Sequence, residues 1–208
     1  MPGIDPDQPG PHLGPPDVNA ADGRFTVSAS GVVQSTGREL VLWHCGGPFP
    51  GTPSWTSNDR PDEMVSQGLQ LALSRPAGPQ TVVALLMDYD AFGRVTAVPD
   101  TAGRLSTLLR TGPDQDVHPV LVSPRDNRPA VHGADLVEVF TALLSLREHH
   151  GELTTALPAH LADVTREVLA TMRGSMMPTD LQRAVRLLRE LTAEADRTTN
   201  TGGDTVHG

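Results

Sequence analysis

The longest apolar run in the chain is six residues, Val82–Met87 (VVALLM). A membrane helix needs about 20 such residues, so this run falls far short of a span. Led by two valines and stopped by Asp88, it reads as a strongly apolar strand in the core of a soluble domain. The surrounding sequence, QTVVALLMDYDAFGRVTAVPD, predicts a hairpin. The strand turns at Asp90 to Gly93 and returns through Val95 and Val98.

Two further hairpins are expected. In RFTVSASGVVQ, Phe25, Val27 and Ala29 alternate before Val32 and Val33, and RELVLWHC follows a Ser-Thr-Gly link. In HPVLVSPRDNRPAVHG the turn is Arg125 to Arg128, and Pro129 pushes the return strand to a sheet edge. Helical stripes come between and after. Pro61 to Ser74 carries Met64, Val65, Leu69 and Ala72, Ala102 to Thr111 carries Leu105, Leu108 and Leu109, and Asp135 starts a helix running to His150. The second and third units share an outline that suggests a ββα repeat. The expected fold class is α+β: an antiparallel or mixed sheet built from β-hairpins, with helices on one face and a C-terminal helical hairpin.

That last pair is expected at 158–173 and from Thr179 onward. Leu181, Ala184, Leu188, Leu191 and Ala195 fall three and four residues apart, a short heptad seam. The seam suits either packing within the chain or a homodimer or partner dock. The domain plan is a disordered Pro/Gly-rich tail at 1–23, an α+β domain at 24–151, a helical pair at 152–197 and a disordered tail at 198–208.

Composition limits the function classes. The 208 residues carry a formal charge of −9, which argues against a nucleic-acid partner, since such surfaces must displace counterions with positive charge. All sixteen basic residues are arginine, the bias of a GC-rich bacterial genome. Aromatics make up 3%, so the core is mostly Leu, Val and Ala. The N-terminal segment has neither a basic start nor an apolar stretch, so no secretory signal is read there. The single cysteine, Cys45, allows no internal disulfide and suits a reducing cytoplasm.

Candidate sites cluster around His44-Cys45. A dipeptide of this kind at a strand end, followed by a Gly/Pro-rich loop, resembles the tyrosine-phosphatase family. That family's loop needs an arginine where this chain has Gly51, and the next arginine is Arg60. A cysteine-dependent hydrolase of another kind would use Cys45 with His118 or His132 as base. The long loop 46–60 is flanked by Trp43 and contains Phe49 and Trp55, an aromatic group suited to a binding surface. Asp88 and Asp90 form an Asp-x-Asp pair that resembles the haloacid-dehalogenase phosphatases in that one feature. The pair could ligate a divalent metal or simply start a turn. His149-His150 closes a helix where its dipole favours cations.

The functional expectation is a non-catalytic protein-interaction module, an adaptor, regulator or small chaperone of a bacterial cytoplasm. It would bind another protein, or itself as a homodimer, through Trp43, Phe49 and Trp55 of the loop and through Leu181, Leu188 and Leu191 of the last helix. No cofactor, nucleic acid or membrane is expected. The alternative is the hydrolase centred on Cys45.

Overall fold

The computed structural model describes residues 25–28, 31–35, 38–46, 60–76, 81–123, 128, 130–147, 157–172 and 178–201. Both expected tails, loop positions 47–59, and His149 and His150 lie outside the described residues, except that the last helix continues to Thr201.

The fold is α+β, with six helices and a four-stranded mixed sheet among the described residues. β1 (Phe25–Ser28) and β2 (Gly31–Ser35) pair antiparallel as a separate two-stranded sheet. The main sheet runs β3 (Leu40–Cys45), β4 (Val82–Met87), β5 (Val117–Leu121), β6 (Val131–His132), in sequence order. β3, β4 and β5 are parallel, and β6 is antiparallel to β5. Parallel neighbours need crossovers, and helices supply them. α1 (Pro61–Ser74) connects β3 to β4. α2 (Tyr89–Ala97), α3 (Pro99–Thr111) and a 3₁₀ turn at Pro113–Gln115 connect β4 to β5. α4 (Gly133–Arg147), α5 (Ala159–Thr171) and α6 (Pro178–Thr201) follow β6.

Two expectations fail here. The Ser-Thr-Gly link does not make a hairpin into β3, because β3 pairs with β4 in parallel. The return strand expected at Val95 and Val98 is helix α2 and its corner with α3. Among its buried residues, Ala91, Phe92, Gly93, Val95 and Thr96, the larger side chains Phe92, Val95 and Thr96 recur three and four apart. Asp88 caps the helix by accepting from the Ala91 amide at 2.7 Å. With a helix in place of the second strand, the ββα likeness between the second and third units disappears.

The sheet separates two cores. Strand alternation sends Val83, Leu85 and Met87 to one side of β4, and Val82, Ala84 and Leu86 to the other. The first side carries the large cluster, with buried residues from all six helices, including Leu161 and Val168 of α5 and Leu188 of α6. α5 packs on α2, α4 and α6, so the C-terminal helices share the core of the sheet. The second side is a small cluster around Phe25, Val82, Ala84, Leu86, Val120, Val122 and Ala130. No helical residue belongs to it among the described residues.

Candidate functional site

Open parallel sheets present their ligands at the carboxyl ends of the strands. Here that edge holds Cys45 and Gly46 after β3, Asp88 after β4, and the buried Ser123 after β5. The Asp88 amide donates to the Cys45 carbonyl at 3.3 Å, and the Val122 amide donates to the Met87 carbonyl at 2.9 Å. Gly46 has φ +82, and a Cβ there would fall on the Asp88 carboxylate. Glycine is therefore required twice, for the left-handed backbone and for the close approach. The loop 46–60 leaves from this point and ends at Arg60, which pairs with Glu63. Hydrogen bonding to Glu63, with its charge, raises the Arg60 pKa above its usual value.

Cys45 is 0% exposed and belongs to the helix-side cluster. Trp43 packs against the same cluster. His44 points to the other side by alternation, and so does His118, which lies between Val117 of the large cluster and Val120 beside it. His132 stacks with Phe25 of the small cluster. The sheet thus stands between the thiol and both histidines considered as its base. A buried thiol among apolar side chains behaves as a small hydrophobe, since burial disfavours the thiolate that attacks.

The Asp-x-Asp pair has two separate tasks. Asp88 caps α2, and Asp90 forms an i,i+4 ion pair with Arg94 at 3.4 Å. The turn expected at Asp90 to Gly93 is the first part of α2. Among the described residues, no group of three or more His, Cys, Asp or Glu is placed to hold a metal. Compared with known proteins, the chain matches no family model, no curated protein and no solved structure.

Of the expected binding residues, Phe49 and Trp55 lie outside the described residues, as do the side chains of Leu181 and Leu191. Leu188 is described and is 0% exposed, held in the large core together with Ala184. A substitution at Leu188 therefore reports on the docking of α6 before it reports on any partner. Of the expected heptad seam, Ala184 and Leu188 are buried, and the spacing carried no information on whether their cover comes from this chain.

Sequence reasoning passed over an open trough between α1 and α3, lined by Ser66, Leu69, Gln70, Leu73, Ser74 and Arg104. Leu73 is 68% exposed. Arg104 bridges the trough, donating to Ser66 Oγ at 2.7 Å and pairing with Asp100. The signal was present: residues 66, 69, 70 and 73 form an i, i+3, i+4, i+7 stripe. It was hidden because two of the four are polar. Among the described residues no helix is long and apolar enough to cross a membrane.

At the opposite, amino edge of the sheet the charges are structural. Arg38 pairs with the buried Asp116, and Arg75 donates to the carbonyls of Thr81 at 2.6 Å and Gln115 at 3.0 Å. Burial lowers the Arg75 pKa from its usual value, and the nearby Asp116 opposes that shift.

Proposed function

We propose that this chain is a non-catalytic protein-interaction module, an adaptor or regulator acting in a bacterial cytoplasm. The segment 46–60 follows Cys45 at the carboxyl edge of the parallel strands and leads into α1. The observation that carries this reading is the placement of Cys45: fully buried, on the helix side of the sheet, with His118 and His132 directed to the other side. The cysteine-hydrolase alternative needs thiol and imidazole on one surface, and this arrangement lends it no support. The Asp88 and Asp90 carboxylates are engaged in capping and ion pairing, which makes a metal-dependent phosphotransferase less apt as well.

Support for binding comes from the composition of the segment 46–60 and from the exposed Leu73 on α1. The segment departs at Gly46, whose backbone lies against the Asp88 carboxylate, and binding residues commonly sit on loops that a scaffold positions. Phe49 and Trp55 in it are the large aromatic anchors that protein partners use. The partner is another protein or a second copy of this chain.

The test is the rate of iodoacetamide labelling of Cys45 in the native protein at neutral pH. Labelling far slower than that of an unfolded control is the expected result. Rapid labelling, abolished in a Cys45→Ser variant, would mean an accessible and activated thiol and would overturn the reading. Light scattering over a concentration series then separates the two partner classes. A mass above 22.1 kDa that drops to the monomer value in a Trp55→Ala variant identifies self-association through the loop.

A further inference from the structure

Most of the described arginines have a partner within the chain. Arg38 pairs with Asp116, Arg60 with Glu63, Arg94 with Asp90, Arg104 with Asp100, Arg128 with Glu167 and Arg166 with Asp163. Arg75, Arg147 and Arg197 donate to backbone carbonyls. Among the described residues, the guanidinium groups without such a contact are those of Arg110 on α3 and of Arg183, Arg186 and Arg189 on α6. All four are exposed. Three of them therefore gather within two turns of one helix. Ala184 and Leu188 bury the inner side of α6 in the large core. On its outer side Gln182, Val185, Arg186 and Arg189 line an open trough. Positions 182, 186 and 189 are four and three apart and share a stripe. We propose that this outer face of α6 docks an acidic helical segment of a partner protein. The inference rests on the interaction-module reading above and adds a second surface with a stated partner chemistry.

Charge complementarity selects the occupant. Arginine forks match carboxylates two bonds at a time. Arg183 to Arg189 spans about 9 Å along the axis, so carboxylates three and four apart on a facing helix meet the three forks in turn. Val185 is half-buried and gives the trough an apolar floor on which arginine stems can lie. Glu190, also exposed, is four residues after Arg186, yet no ion pair joins them. The forks are thus open to carboxylates from outside. The formal charge of −9 repels an acidic partner at long range. At about 0.1 M salt that field is screened beyond about 10 Å, and the local patch decides. A membrane suits this face poorly, because the apolar side of α6 that would enter lipid is already buried in the core. Nucleic acid suits it poorly too, since three cations on so acidic a chain release few counterions.

Fluorescence anisotropy on the full chain tests the proposal. The probe is a labelled helical peptide with glutamates three and four apart in an alanine background, and its glutamine counterpart is the control. The expected result at about 0.1 M salt is binding of the glutamate peptide and not of the control. Arg186→Ser/Arg189→Ser should weaken that binding about fivefold, because each exposed pair contributes modestly. Arg110→Ser should leave it unchanged. No binding, equal binding of the control, or an equal loss in Arg110→Ser overturns the proposal. So does tighter binding of a single-stranded RNA of the same charge, or a dimer by light scattering that the double variant dissolves. The two peptides compared on the wild type decide even if the double variant fails to fold. The two readings fail separately. Absent peptide binding leaves slow Cys45 labelling in place, and rapid Cys45 labelling leaves peptide binding in place.

Discussion

Leu85 and Leu86 are neighbours on one strand, equally sealed from water, yet they point into different cores. Leu85 meets helices. The backbone of Gly68 on α1 lies so close that an added Cβ would strike a Leu85 methyl, and Leu108 of α3 is in the same contact. Leu86 shares its side with Ala84, Val120 and Phe25 beneath a short hairpin. The helix side is broad and apolar and draws on six helices. The hairpin side is small and admits two imidazoles. The two imidazoles sit on the side where fewer elements pack, while among the described residues the helix side buries only hydroxyls of Thr96, Thr101 and Thr165 from its helices.

The sharpest way to break this comparison is to truncate both leucines. Leu85→Ala should cost about 4 kcal/mol, because tightly packed helices relax little around the cavity. Leu86→Ala should cost about 2–3 kcal/mol, because the hairpin can settle into the space. Urea denaturation reads both, and equal losses would mean that the two sides are equally rigid. A smaller effect tests the edge between the two sides. Asp88→Ala removes the α2 cap and should cost about 1 kcal/mol, while Asp88→Asn should recover most of it. A loss well beyond that would mean that Asp88 does more than cap. The smallest change belongs to the trough. Arg104→Ala breaks exposed contacts with Asp100 and Ser66 and should move stability by less than about 0.5 kcal/mol. A larger shift would show that Arg104 holds α1 and α3 together.

Phe25 illustrates the limit of local reading. Its alternation with Val27 announced a strand, and β1 is one. Nothing near it in sequence pointed to His118 and His132, about a hundred residues away. The turn expected after Asp88 failed for a different reason. Val95 and Val98, three residues apart, fit a helix as well as a ragged strand, and the capping carboxylate decides between them. Leu188 was legible as a buried position, and only contact with the rest of the large core shows that this chain itself covers it.

By itself the sequence determined the apolar strand at 82–87, the helical stripes at 61–74, 102–111 and along the last two helices, and the scarcity of aromatics in the core. These follow from side-chain periodicity, which acts over a few residues and is written locally. Tertiary structure decided that β3, β4 and β5 run parallel, that Cys45 faces helices while the histidines face the hairpin, and that Phe25 closes over both imidazoles. Which strands pair, and which side each covers, depends on contacts between residues far apart in the chain, where local pattern has no reach.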